Sequence, residues 1–291
     1  MDADIEDVVT AMKKAGGCII KGVASAETLA AIDKELRPII DADVSWDGDF
    51  FPSQTKRATG IVGHSPEAAK MLLQNRIYRE TCDAFLAHNT VYYVDNEQRT
   101  GLSPPQLNNS ICFSIGPGAT AQPLHRDDGG HHPNYDTIEE YPEDMNNFQR
   151  DAGVGFFVAG TKATKANGAT RFIPGSHLWG VSIPPKIDMV YYAEMDPGDA
   201  FMMLSSCYHG GSANTTKDER RELYSCFMTR GYLRQEENQY LAHSLDKVKN
   251  LPLDLKKVFG YQMSNPAIGW LDHRDPIFMV APELKQNNFV I

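Results

Sequence analysis

The sequence predicts a mainly β fold with flanking helices, and three observations carry that expectation. Helical patterning is confined to about residues 5–90 and to a stretch near the C-terminus. Between them lie short apolar runs broken by Pro-Gly, Asn-Gly and Asp-Pro-Gly turns. Short strands at that spacing favour a sandwich or barrel over an alternating βαβ sheet.

Each element has a local reason. Residues 5–15 set Val8, Val9 and Met12 on one side of a helix, and Gly16-Gly17 stops it. Cys18-Ile-Ile-Lys-Gly-Val reads as a strand. Ser25 is an N-cap for a helix running to about Ile39. Residues 41–65 read as loop, with Pro52 and the basic pair Lys56-Arg57. Ser65-Pro66-Glu opens another helix, with proline tolerated at its first turn, and a third covers about 76–87. Strands are then expected at 106–116, 153–159, 170–173, 182–184, 200–204 and 222–232, with a further helix at 244–260. No linker separates two halves, so the chain reads as one domain. Its parts are N-terminal helices (about 5–90), a β core (about 105–235) and a helical or irregular extension (about 236–291).

Composition narrows function. Of 291 residues, 28 are Lys or Arg and 38 are Asp or Glu, a formal charge of -10. A general nucleic-acid binder or a polybasic membrane binder needs the opposite excess. No run of about 18 apolar residues is present to cross a bilayer. The acidic start, Met1-Asp-Ala-Asp-Ile-Glu-Asp, fits neither a secretory signal nor a mitochondrial presequence, so a cytoplasmic location is the default expectation. Five cysteines with no Cys-x-x-Cys argue against a disulfide framework or a zinc knuckle. They read as buried packing residues.

Chemistry concentrates in three places. In Gln122-Pro-Leu-His125-Arg-Asp127-Asp128, His125 and Asp127 are two apart and point to the same side of an extended chain. In Cys207-Tyr-His209-Gly-Gly, His209 ends the apolar run Ala200-Phe-Met-Met-Leu. Two imidazoles and one carboxylate form the facial triad of non-haem Fe(II) oxygenases, which leaves positions open for a co-substrate and O2. About a dozen residues on, Arg220-Arg221 begins the strand Glu222-Leu-Tyr-Ser-Cys-Phe. A guanidinium there can clamp the distal carboxylate of 2-oxoglutarate. His-x-Asp alone is weak; its combination with a distant histidine and a following arginine is much stronger.

Those segments, with Asn167-Gly-Ala-Thr170-Arg-Phe-Ile-Pro-Gly175-Ser-His177, Met195-Asp-Pro-Gly-Asp199 and His209-Gly-Gly-Ser-Ala-Asn214-Thr-Thr, resemble the phytanoyl-CoA dioxygenase superfamily. The likeness spans about residues 10–275 and is closest to the fungal enzymes that tailor meroterpenoids and indole alkaloids. It implies a double-stranded β-helix (jelly roll, cupin-like) core, with Fe(II), 2-oxoglutarate and O2 as cofactor and co-substrates. It implies His125, Asp127 and His209 as iron ligands, Arg221 rather than Arg220 as the clamp, and Gln122 and Thr170 as further contacts to 2-oxoglutarate. The expected reaction oxidises an unactivated C–H bond of a hydrophobic secondary metabolite, a meroterpenoid first, with succinate and CO2 as co-products. The products that fit are those of hydroxylation, desaturation, ring rearrangement or endoperoxidation. In related halogenases a small residue replaces the carboxylate, so Asp127 disfavours halogenation.

Other features have plainer readings. Asp128 is expected behind the ligands or at the surface, Asn167-Gly168 and Asp196-Pro-Gly-Asp199 in turns, and His177 outside the metal shell. The 49–65 loop could cover the site, with Phe50, Phe51 and Arg57 as lining, or be an ordinary surface loop. One face of the strand at 106–116 carries Asn108, Ser110, Cys112 and Ser114, and beside iron it would suit an oxygenated terpenoid. Residues 130–148 read as a mobile loop rather than a second metal site at His131-His132. The tail Gly269–Asp275 resembles an element that packs near the pocket entrance, which makes a homodimer a hypothesis. The alternatives are an acyl-CoA hydroxylase and a non-catalytic jelly roll that holds metal or 2-oxoglutarate.

Overall fold

The structure, a computed structural model, describes residues 4–44, 51–145 and 148–284. Five helices fall in the N-terminal third: α1 (Ile5–Ala15), α2 (Ala26–Ala42), α3 (Ile61–His64), α4 (Pro66–Leu73) and α5 (Arg76–Leu86). The helix starts expected at Ser25 and Ser65 form, and Asn75 caps the third stretch as well. Ser25 accepts from the Thr28 amide, Ser65 from Ala68 and Asn75 from Tyr78. Gly16 ends α1 in the left-handed region.

Among the described residues there are eleven strands: β1 (Gly17–Ile20), β2 (Thr55–Thr59), β3 (His88–Val94), β4 (Glu97–Ser103), β5 (Gln106–Ile115), β6 (Gly153–Ala159), β7 (Thr170–Phe172), β8 (Tyr191–Ala193), β9 (Ala200–Leu204), β10 (His209–Gly211) and β11 (Arg221–Thr229). The major sheet is antiparallel, in the order β1-β9-β6-β11-β5-β2. The minor sheet runs β10-β7-β8. Residues 122–125 extend it, because His125 and His209 exchange backbone hydrogen bonds and the Gln122 amide donates to Gly211. Two antiparallel sheets facing one another make the jelly roll.

Strand periodicity divides the core. On one face of the major sheet, Val154, Phe156, Met202, Leu204, Tyr224 and Cys226 pack against the helices. On the other, Phe157, Phe201, Met203, Leu223 and Phe227 meet Phe172 and Ala193 of the minor sheet. Both faces of β6, β9 and β11 are therefore buried. The turn before β9 forms as expected. Gly198 sits at φ 87° against the Ala24 carbonyl, where a Cβ would approach within 2.2 Å. Asp199 closes the turn by accepting from the Asp196 and Gly22 amides.

Several expectations fail locally. Residues 182–184 form no strand; the Tyr208 hydroxyl holds Ile183 through its carbonyl instead (2.8 Å). The helix expected at 244–260 is two, α7 (Leu245–Lys249) and α8 (Leu253–Val258), after a short α6 (Gln239–Ala242). Pro252, which lacks an N–H, falls at the break. The hairpin β3–β4, turning at Asp95 with φ 53°, and strand β2 were not anticipated. All five cysteines are free, and four are buried.

Candidate metal and co-substrate site

The cavity lies between the sheets, with about 930 Å³ of space including its open mouth. Its polar end is built by the minor sheet. The backbone exchange between His125 and His209 sets their rings with centroids 4.6 Å apart. Asp127 follows on a 3-10 turn, its amide donating to Ser205. His125 Nε2 is 3.4 Å from Asp127 Oδ1, and His209 Nε2 is 3.3 Å from Asp127 Oδ2. One ligand atom from each lies within 4.8 Å of the others.

The donor set suits a cation. His125 Nδ1 donates to the Pro123 carbonyl at 2.9 Å and His209 Nδ1 to the Cys207 carbonyl at 3.1 Å. A carbonyl can only accept, so each Nδ1 carries its proton and each Nε2 turns to Asp127. Burial depresses the pKa of His209. Burial pushes His125 down too, but the hydrogen bond and charge of Asp127 outweigh it and the value is raised. Asp127 is pushed up by burial yet held below its ordinary range by His209 and then His125. Asp127 Oδ2 is buried without a hydrogen bond. An unpaired carboxylate oxygen with two imidazole Nε2 atoms turned to it suits a cation held among the three.

Arg221 enters the same cavity from β11. It is 2% exposed, and burial pushes its pKa down to about 10. Its Nη2 donates to the Gly168 carbonyl, while its Nε is buried without a partner. Gln122 and Thr170 line the same cavity as Arg221 and the triad residues. Gln122 Oε1 accepts from the Gly211 amide at 2.9 Å. A Cβ at Gly211 would stand 3.2 Å from that oxygen and 3.7 Å from Arg221 Nη2, so the glycine leaves a cradle open. Arg220 is exposed, bonds to Ser114 and does not line the cavity.

The apolar wall departs from expectation. Phe51 lines the cavity, but Arg57 lies in the neighbouring groove, paired with Asp43 at 3.4 Å. Phe50 falls outside the described residues. Asn108 and Ser110 do not line the cavity. Asn108 sits in a bulge opposite Phe227/Met228 and accepts from the Glu236 amide at 2.7 Å. Ser110 turns to the helices and accepts from the Val62 amide at 3.4 Å. The cavity face of β5 is instead Asn109, Ile111, Phe113 and Ile115, joined by Phe157, Leu223, Phe227 and Glu236. Leu223 and Phe227 follow from Arg221 by counting in twos; Asn109 and Glu236 had no such signal.

The surroundings sort out the remaining expectations. Asp128 is 1% exposed and accepts from the Tyr135 hydroxyl at 2.7 Å. Tyr135 lies beneath Arg150, 4.1 Å from the ring centroid, and Arg150 bonds to the carbonyls of Asp136, His177 and Trp179. The segment read as mobile is therefore pinned at Tyr135. His177 is buried against the Lys13 carbonyl, away from the triad, and burial lowers its pKa to about 4. The His-Asp-His group is the only cluster of three metal-competent side chains among the described residues. Trp270 and Leu271 of the tail remain exposed.

A jelly roll with two imidazoles and a carboxylate converging on one point, and a buried arginine in the same cavity, defines the class of non-haem Fe(II)- and 2-oxoglutarate-dependent oxygenases. The phytanoyl-CoA dioxygenase family matches residues 12–222, and the chain belongs to it. It is 38% identical to "Dioxygenase himG" of Aspergillus japonicus over 94% of this chain and 86% of that one. It is 37% identical to "Dioxygenase peniF" of Penicillium patulum, over 94% and 87%. Among solved structures, the α-ketoglutarate-dependent epimerase SnoN from nogalamycin biosynthesis shares the fold with a TM-score of 0.57 at 17% identity, covering 77% of this chain and 80% of its own. HygX from Streptomyces hygroscopicus, with nickel and 2-oxoglutarate bound, gives a TM-score of 0.57 at 15% identity, over 80% and 90%. The chain is a dioxygenase. No helix among the described residues is long and apolar enough to cross a membrane.

Proposed function

We propose that the chain acts as one catalytic domain that oxidises an unactivated C–H bond of a hydrophobic secondary metabolite. The observation that carries this is the convergence of His125, Asp127 and His209 in a cavity that also holds the partly unsatisfied Arg221. His125 Nε2, His209 Nε2 and an Asp127 oxygen would hold Fe(II), leaving positions open. Arg221 would receive the distal carboxylate of 2-oxoglutarate through its fork of N–H donors. Gln122, steadied by the Gly211 amide, and the Thr170 hydroxyl would orient the same molecule. When bound, the iron and 2-oxoglutarate supply an oxidant that takes a hydrogen atom from carbon, with O2 consumed and succinate and CO2 released. The aromatic wall of Phe51, Phe113, Phe157 and Phe227 would hold the substrate body and exclude water.

The meroterpenoid reading rests on the family resemblance; the polar face of Asn108 and Ser110, which would have suited an oxygenated terpenoid, does not line the cavity. An acyl-CoA substrate gains no support from the cavity, whose one basic side chain besides the histidines, among the described residues, is Arg221. The test is anaerobic addition of Fe(II) and then 2-oxoglutarate, read as a weak visible metal-to-ligand charge-transfer band. The expected result is a band in the wild type and none in His209→Ala. A folded, iron-loaded wild type without the band would overturn the dioxygenase reading.

A further inference from the structure

One carboxylate in the cavity is not used by the site just described. Glu236 lines the cavity with much of the residue exposed to solvent, and the bulge in β5 holds it twice. Asn108 Oδ1 accepts from the Glu236 amide at 2.7 Å, and Asn109 Nδ2 donates to Glu236 Oε2 at 2.6 Å. The bulge is what turns Asn108 and Asn109 to these two tasks, since an extra residue re-aims the side chains around it. The Asn109 amide orientation is fixed by its partner, because a carboxylate accepts and only the NH2 end can donate to it. The other end, Asn109 Oδ1, is left as an acceptor. It is buried without a partner, on a residue 6% exposed that lines the cavity. A buried acceptor without a donor is costly, so the missing donor is a property of the ligand.

Charge points the same way. Besides the histidines, the ionisable side chains lining the cavity among the described residues are Asp127, Glu236 and Arg221. Adding Fe(II) and the dianion of 2-oxoglutarate leaves the loaded cavity with one net negative charge. No Lys or Arg pairs with Glu236 among the described residues. The rest of the lining is aromatic and aliphatic apart from the uncharged polar groups of Thr55, Asn109, Thr120, Gln122, Thr170 and Ser212.

We propose that the substrate is an amine bound in its protonated form, with its N–H groups donated to Asn109 Oδ1 and the Glu236 carboxylate and its hydrocarbon body against Phe51, Phe113, Phe157 and Phe227. This rests on the dioxygenase reading and narrows its substrate class from hydrophobic metabolites in general to alkaloid-like amines. A secondary or primary ammonium satisfies both acceptors and neutralises the loaded cavity. A neutral terpenoid of the same shape leaves the carboxylate uncompensated, and a carboxylate substrate is repelled.

The experiment uses the full chain loaded anaerobically with Fe(II) and 2-oxoglutarate, with the charge-transfer band as proof of loading. Into it are titrated aryl- and alkylpiperidines, each set against the tetrahydropyran of the same shape and the matching cyclohexanecarboxylate, with binding followed by calorimetry. The expected result is binding by one or more piperidines at least roughly tenfold tighter than by their oxygen analogues, a preference lost in Glu236→Gln and reduced in Asn109→Ala. The proposal is overturned if the neutral or anionic series binds as well, if no amine binds to protein that shows the band, or if Glu236→Gln keeps the preference. If the band never forms, the dioxygenase reading itself falls and this proposal with it.

Discussion

Arg221 and Glu222 are neighbours on β11, both charged and both buried, and the molecule treats them in opposite ways. Glu222 faces the helices. Arg37 of α2 bonds to both its oxygens, at 2.9 and 2.6 Å, and Ser114 donates at 2.7 Å. Burial pushes the Glu222 pKa up, but Arg37 and then Ser114 outweigh it and hold the value below 4.5. Arg221 faces the cavity with, among the described residues, one backbone carbonyl as its hydrogen-bond partner, an Nε without one and a depressed pKa. One face of the sheet completes its charges internally and serves stability. The other leaves them incomplete, which is tolerable where a ligand supplies the remainder.

Substitutions on the two faces should therefore fail in different assays. The largest effect is expected at the triad: Asp127→Ala or His209→Ala should abolish iron binding and turnover while the thermal transition persists. Full activity in either would refute the ligand assignment. Next, Arg221→Met should weaken 2-oxoglutarate binding by about 2–4 kcal/mol, roughly 30- to 1000-fold, with little loss of Tm. Glu222→Gln should do the reverse. It should cost about 1–2 kcal/mol of stability at neutral pH, modest because about a third of the Arg37 side chain is exposed (34%), and leave 2-oxoglutarate affinity unchanged.

The pH dependence of that stability has a definite sign. A carboxyl whose folded pKa is depressed contributes fully above its unfolded value and loses that contribution as pH falls through the folded one. The stability gap between wild type and Glu222→Gln should thus close as pH falls below the ordinary glutamate range in denaturant titrations; a gap that widens on acidification would contradict the pairing. The smallest effect is expected for Gln122→Ala, which removes the acceptor of the Gly211 amide. It should raise the 2-oxoglutarate KM by a few-fold, about 1 kcal/mol.

The same contrast explains what could be read from the sequence. The polar end of the cavity was legible because its chemistry demands particular residue types at fixed spacing. His125 and Asp127 share a side two residues apart, and His209 ends an apolar strand. The wall was not legible, and β5 shows why. A strand buried on both faces carries no apolar–polar alternation to fix which face is which. Polar Asn108, Ser110, Cys112 and Ser114 looked like the active side, yet Ser110 and Ser114 serve α3 and Glu222, while Ile111 and Phe113 face the cavity. The bulge at Asn108 then puts Leu107 on the helical side and Asn109 on the other, a change no periodic pattern encodes. The hairpin β3–β4 escaped for a related reason: its strands are half exposed, and Asp95 rather than glycine takes the left-handed turn.

The most direct test of the division between the two faces is calorimetric titration of 2-oxoglutarate into Ni(II)-loaded wild type, Arg221→Met, Arg220→Met and Glu222→Gln. The account predicts a loss of affinity of roughly 30-fold or more confined to Arg221→Met. Wild-type affinity in Arg221→Met, or an equal loss in Arg220→Met, would contradict it.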